Sequence, residues 1–499
     1  MEIAPFLAER NGPLARRSVR ATIATTGAAA LDFALRLASV AVLARLVSPA
    51  DFGVVMIAGA AVAIAEQFRD LGLPSATLQR PELTATEATN LFWINATAGA
   101  LLALLLCGTS PLLAAIFGDP RLLPLTCAFS LTILSGGLAV QHQALLGRRL
   151  LLGRLAAVRV GAGIVATLLA VWLAARGAGC WALLWREVAR SVLLTMGTWC
   201  LLPWMPARPR DISSIRPHVR FGADVLGANL LGAFAASCDR LILGAVAGPA
   251  AVGVYRQAVQ LVSTPTDQFL GPLYQVAQPA LSRLQTDPAR YRRAYGRLLT
   301  LVSLSTVPIS LGLAVFAAEA TLIFLGPAWS EAVPVVRILC AAAVFRQTVG
   351  STALILLTRG EARACLQLAG LNQVLLAPAL LIGASAGPTG AAWAEVTVAL
   401  LMIIPRLLTS CVNSPIDARF VLLTTARPFT AGALMTMALV ALRPSLADLE
   451  PMLRLGIGGL VGSAAFATAW LLLPGGRAEA AEMFGELRSA LRPATAAAH

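Results

Sequence analysis

The residues that could do chemistry in this 499-residue chain are charged side chains set inside long apolar runs. Asp32 and Arg36 stand four apart in the first run, on one face of a helix. Glu66, Arg69 and Asp70 close the second run, and Arg186, Glu187 and Arg190 cluster in the sixth. Asp224, Asp239 and Arg240 lie in the seventh, Arg256 in the eighth, Arg337 and Arg346 in the tenth and Glu395 in the twelfth. A charge at membrane depth costs a few kcal/mol and faces a cavity or a partner. Guanidinium groups grip phosphate oxygens in pairs and stay charged when partly desolvated. The set therefore predicts a polar cavity with surplus positive charge, suited to a phosphate-bearing substrate. Arg36 and Arg346, well inside their runs, are the leading candidates for substrate contact, followed by Arg240 and Arg256. Asp32, Glu66, Asp239 and Glu395 are candidates either for coupling to a proton or sodium ion or for holding the arginines in place. Any single member could equally be a structural pair or a side chain snorkelling to the interface.

Other chemistries find little support. Eight cysteines sit in or beside apolar segments without a C-x-x-C pair, and the three histidines (His142, His218, His499) are far apart. Neither a disulfide framework, a metal centre nor a cofactor site is expected. All 39 basic residues are arginine, and they are scattered between apolar runs instead of forming a basic face interleaved with aromatics. The net charge of +14 is thus a matter of membrane topology, and no nucleic-acid partner is expected.

The elements that position these charges are membrane helices. The chain is 58% hydrophobic and 13% charged, about half the charge of an average soluble domain. No cleavable signal is visible, so the first apolar run is expected to persist as a helix. Apolar runs long enough for a core of about 30 Å fall at 21–46, 52–73, 89–117, 122–146, 155–175, 178–202, 221–246, 251–277, 298–324, 331–357, 364–385, 388–410, 421–442 and 455–474. With a cytoplasmic N-terminus, the cytoplasmic segments carry 23 arginines and the outer loops 4 (Arg121, Arg176, Arg443 and Arg454), as the positive-inside rule requires. Prolines 265, 272 and 308 fall inside spans, where they favour kinks.

An internal repeat organises the spans. Leu43–Val54 reads LARLVSPADFGV and Leu243–Val254 reads LGAVAGPAAVGV, with Leu, Pro, Ala, Gly and Val at the same offsets. GCWA from Gly179 and GAAWA from Gly390 form a weaker echo. The expected fold is all-α and polytopic, with about 14 transmembrane helices. It comprises a cytoplasmic N-terminal segment (1–20), an N-lobe (21–202), a cytoplasmic linker (203–220), a C-lobe (221–410), two extra helices (421–474) and a cytoplasmic tail (475–499). Because each lobe has six helices, both enter the membrane from the same side, a parallel repeat that places a cavity between the lobes.

Four segments, in order, carry a family resemblance: FRDLGLPSATLQRPELT from Phe68, DRLILGAVAGPAAVGVYRQAVQL from Asp239, QVAQPALSRLQTDPARYRRAY from Gln275 and FLGPAWSEAVPVVRIL from Phe324. They resemble bacterial polysaccharide exporters of the Wzx type, within the multidrug/oligosaccharidyl-lipid/polysaccharide flippase superfamily, over about residues 15–410. The resemblance implies alternating access and a substrate of undecaprenyl-pyrophosphate-linked oligosaccharide units for O-antigen, capsule or exopolysaccharide. It implies an inner-membrane location, contact with membrane lipids and with polysaccharide polymerase machinery, and a proton or sodium ion for coupling. In the superfamily, an extra helix pair such as 421–474 can form a groove for the lipid tail. The alternatives are a multidrug/cation antiporter or a lipid II flippase of the same superfamily. A membrane-embedded glycosyltransferase or acyltransferase fits less well, because the short, arginine-dominated loops lack clustered carboxylates or histidines.

Overall fold

A computed structural model of the chain describes residues 27, 31, 33–70, 84–149, 151–209 and 216–481. The described residues are mostly helical, with no strand among them. In order the helices are α1 (33–46), α2 (Pro49–Asp70), α3 (Ala85–Phe117), α4 (Leu122–Arg148), α5 (Leu152–Ala175), α6 (Cys180–Leu201) and α7 (Arg216–Arg283). They continue as α8 (Pro288–Val315), α9 (Ala317–Phe324), α10 (Ala332–Gly350), α11 (Ala353–Thr358), α12 (Ala362–Ala384), α13 (Gly387–Leu401), α14 (Ile403–Cys411), α15 (Ala418–Leu442) and α16 (Pro451–Leu472).

Ten helices of the described chain are long and apolar enough to cross a membrane. One of these, Gly232–Arg283, has 52 residues, about 78 Å if straight, more than twice the thickness of a bilayer core of about 30 Å. It breaks at Gly248, whose φ of 82° suits glycine and which stands between the runs read over 221–246 and 251–277. Side chains such as Leu101, Leu104, Leu105 and Leu112 on α3 are more than half exposed, a surface that suits lipid and not water. The protein is a multi-pass, all-α membrane protein.

Local chemistry fixes the helix ends. Thr84 caps α3 by accepting from the Glu87 backbone N–H at 3.2 Å, and the Glu87 carboxylate accepts from the Thr84 N–H at 2.8 Å, a reciprocal capping box. Gly118, at φ 64°, ends the same helix. Asp287 caps α8 and Pro288 occupies its first turn, so α8 starts ten residues before the apolar run at 298. The basic stretch after the eighth run is therefore mostly helix, with only 284–287 as a loop. Three runs read as single helices, 298–324, 331–357 and 388–410, are each interrupted, at Phe316, at Ser351–Thr352 and at Met402.

The chain forms two compact units, one of residues 1–254 with 324–328, the other of 255–323 with 329–499. In the first unit Ala88, Leu91 and Phe92 of α3, Leu145 and Leu146 of α4, and Leu155 of α5 make a core with Leu202 and Trp204. His142 stacks on Trp199 at 4.4 Å and its Nε2 lies 3.1 Å from the Trp204 carbonyl oxygen. The start of the predicted linker is therefore docked on α3, α4 and α6. The second unit has one core around Tyr291, Tyr295, Leu299 and Val302 of α8 and another where Phe316 meets Met435, Leu439 and Phe466 of α15 and α16.

Candidate anion-binding arginine clusters

In the first unit the charges gather around Glu187 of α6. Arg186 donates to Glu187 Oε1 through Nε at 3.0 Å and Nη2 at 2.7 Å. Its Nη1 reaches across to Ser39 Oγ of α1 at 3.0 Å, and Ser39 is buried. Arg190 of α6 and Arg36 of α1 also exert their charge on Glu187. Arg186 is thus bound to Glu187, and the charges of Arg190 and Arg36 act on the same carboxylate. Asp32, one helical turn before Arg36, lies outside the described residues.

The second unit builds a comparable site from four helices. Arg346 of α10 donates through Nη1 to Glu395 Oε1 of α13 at 2.7 Å. The hydroxyl of Tyr255, on α7, donates to the other oxygen, Glu395 Oε2, at 2.8 Å. Arg406 of α14 faces Arg346 closely enough for the two charges to repel. Its guanidinium approaches Gly350 of α10, where an added Cβ would lie 3.5 Å from Nη1. Among the described residues no carboxylate pairs with Arg406, and Nη1 is the only Arg346 nitrogen engaged in an ion pair. Both Glu395 oxygens are committed, so its geometry here is that of a brace for Arg346. Two guanidiniums with one carboxylate leave one net positive charge and unspent N–H donors at mid-helix, the arrangement a phosphate group would complete.

The remaining sequence candidates lie on α2, α7 and α10. Arg240 folds back on its own helix, its Nη2 donating to the Ala236 carbonyl at 3.0 Å and to Ser237 Oγ at 3.1 Å. Asp239 Oδ1 accepts from the Arg240 backbone N–H at 2.8 Å. Glu66 lies 3.6 Å from Arg69 on α2, and the Arg69 guanidinium fills the space a Cβ at Gly136 would need. Arg256 is half-buried on α7, and Arg337 is exposed on α10.

Arg406 was not singled out from sequence, although a signal was present. In MIIPRLL it has no acidic residue within a helical turn, so its partner, if any, must come from another helix. Tyr255 carries no charge to mark it in the sequence, and its role as a donor to Glu395 shows only in three-dimensional contact.

In this multi-pass helical bundle, Arg186 pairs with Glu187 and Arg346 with Glu395, an arrangement that suits a transporter. A family model described as "Polysaccharide biosynthesis protein" matches residues 42–334, and the chain belongs to that family. It is similar to the lipopolysaccharide biosynthesis protein WzxC of Escherichia coli K12, 24% identical over 375 residues covering 74% of this chain and 75% of that one. It is also similar to the teichuronic acid biosynthesis protein TuaB of Bacillus subtilis 168, 25% identical over 59% of this chain and 61% of the relative. Among solved structures, a lipid II flippase, MurJ, in an inward closed conformation superposes with a TM-score of 0.71 at 12% identity, covering 93% of this chain and all of that one. An inward-facing multidrug resistance transporter of the MATE family and MOP superfamily superposes at 0.56 and 16% identity, covering 82% and 95%. The fold is therefore that of the MOP superfamily transporters.

Proposed function

We propose that this protein moves an undecaprenyl-pyrophosphate-linked oligosaccharide across the bacterial inner membrane by alternating access of two six-helix lobes, with both termini cytoplasmic. The observation that carries the reading is the Arg346–Arg406 pair, braced by Glu395 and Tyr255 and left with one uncompensated charge. A pyrophosphate offers the several anionic oxygens that such a pair takes up. The Arg36, Arg186 and Arg190 group around Glu187 supplies a second cationic surface of the same kind. Glu66 and Asp239 are the described carboxylates proposed for a coupling proton or sodium ion, and Glu395 serves to hold Arg346.

The family and the relatives that act in polysaccharide biosynthesis support this reading over a multidrug antiporter, whose cationic substrates would be repelled by both arginine clusters. The testing experiment is deletion of the gene followed by measurement of surface polysaccharide and of lipid-linked intermediates. Loss of the surface glycan with accumulation of its lipid-linked precursor is expected. An unchanged glycan with unchanged intermediates would reject the assignment.

A further inference from the structure

A second charged site lies in the second unit, away from Arg346 and Arg406 in the sequence and built from different helices. Glu319 of α9 is only 5% exposed, yet its Oε2 has no hydrogen-bond partner. Its Oε1 lies 3.7 Å from Arg443 Nη2 and 3.8 Å from Arg454 Nη1, beyond hydrogen-bond distance. These three side chains, with Phe316, Val440 and Leu446, line a cavity of about 290 Å³. That volume stands at the lower end of small-ligand sites, roughly 300–1,000 Å³. Arg454 is held in place by donating to the backbone carbonyls of Leu449, at 2.7 Å, and Ala447.

The position matters as much as the charges. Arg443 and Arg454 flank the turn between α15 and α16, and both helices are apolar enough to cross a membrane. Their joining turn therefore lies at a membrane–water boundary, where lipid head groups sit. A buried carboxylate oxygen without a donor costs desolvation energy until a donor reaches it.

The ligand chemistry follows from what each simple ligand would leave unsatisfied. A bare anion would engage Arg443 and Arg454 but set a second negative charge beside Glu319. A bare cation would satisfy Glu319 but face two guanidiniums. A group carrying both a phosphate and an ammonium complements all three charges, with the phosphate on the arginines and the ammonium beside the Glu319 carboxylate. A quaternary ammonium has no N–H to give. We propose that this cavity is a binding site for a phosphoethanolamine group, supplied by an ethanolamine phospholipid of the surrounding bilayer. The site is independent of the transported substrate.

The test uses the full chain purified in detergent, with thermal melting and native mass spectrometry after addition of phosphatidylethanolamine, phosphatidylcholine, phosphatidylglycerol or water-soluble phosphoethanolamine. Phosphatidylethanolamine is expected to raise the melting temperature and the bound fraction above the other two lipids. Glu319→Gln, which preserves shape, should abolish the advantage over phosphatidylcholine, and Arg443→Gln should weaken retention of phosphatidylethanolamine and phosphatidylglycerol together. A gain confined to the lipid makes the bilayer the source, and an added gain from soluble phosphoethanolamine makes the head group sufficient. Equal retention of the three lipids by the wild type, or an ethanolamine advantage that survives in Glu319→Gln, would overturn the proposal. Because melting and retention are read without transport, failure here leaves the flippase reading standing.

Discussion

Gly53 faces the backbone carbonyl of Pro249 so closely that a Cβ on the glycine would lie 1.6 Å from the carbonyl oxygen. The contact is reciprocal: a Cβ on Gly253 would lie 2.0 Å from the carbonyl oxygen of Pro49. These four residues occupy matching positions of the repeated segments Leu43–Val54 and Leu243–Val254. Each copy also breaks its helix immediately before its proline, at Val47–Ser48 and at Gly248. The two copies of the repeat thus pack on one another in a self-complementary way, as two-fold related surfaces do. Glycine is required because the backbones meet without room for any side chain.

Gly53→Ala and Gly253→Ala are therefore each expected to destabilise the first unit by about 1–3 kcal/mol, the usual cost of overpacking. Gly59→Ala, a helical glycine with open space around it, should be neutral. Melting of the three purified variants checks this, and equal stability of all three would show that the backbones can separate without cost.

The Arg346–Arg406 pair predicts a graded series. Arg346→Gln and Arg406→Gln should each lower glycan export at unchanged protein abundance, and the double variant should abolish it. Tyr255→Phe removes one hydrogen bond to Glu395 and should reduce export only mildly, since such a bond contributes about 1 kcal/mol. Export assays with membrane-fraction immunoblots read both quantities.

How much of this was legible in the sequence depends on whether a residue's role is local. The apolar runs, the arginine asymmetry across the loops and the repeat are patterns along the chain, so the all-α membrane fold could be read directly. Arg346 and Glu395 were both singled out for being charged at membrane depth. Their 2.7 Å pairing, across a sequence separation of 49, was not readable. Arg406, Ser39 and Tyr255 matter through partners on other helices, which one sequence without contacts does not display. Arg240 donates to Ala236 and Ser237 on its own helix, contacts that its depth in the run does not display. The early start of α8 was missed because its Asp287–Pro288 capping signal precedes the apolar run.

Acid should weaken one membrane-end network. Arg121 donates to Asp119 at 2.7 Å and to Asp51 at 2.8 Å, and its hydrogen bonds hold the Asp119 carboxyl below the ordinary carboxylate range. A carboxyl depressed on folding contributes stability that is complete above its unfolded value, near 3.9. That stability is lost as pH falls through the lower, folded value. Melting of the wild type should therefore show an acid-dependent loss below about pH 4 that Asp119→Asn lacks. A parallel loss in both proteins would assign the acid sensitivity to other groups.

Trp204 tests the docking of the chain that follows α6. It is 3% exposed and packs against Phe92 and His142. Trp204→Ala should cost about 3–5 kcal/mol, whereas Met205→Ala, 73% exposed, should cost little. Denaturation of both variants in the same detergent distinguishes a docked segment from a free linker.

The central claim, that the arginine pair serves translocation of a lipid-linked glycan, is tested most directly by the sidedness of that glycan. In a deletion strain complemented with the Arg346→Gln, Arg406→Gln double variant at wild-type abundance, the lipid-linked oligosaccharide would be extracted and its membrane face determined. The account predicts accumulation on the cytoplasmic face, with the wild-type gene restoring the outer-face pool. An outer-face pool of wild-type size in the double variant would contradict it.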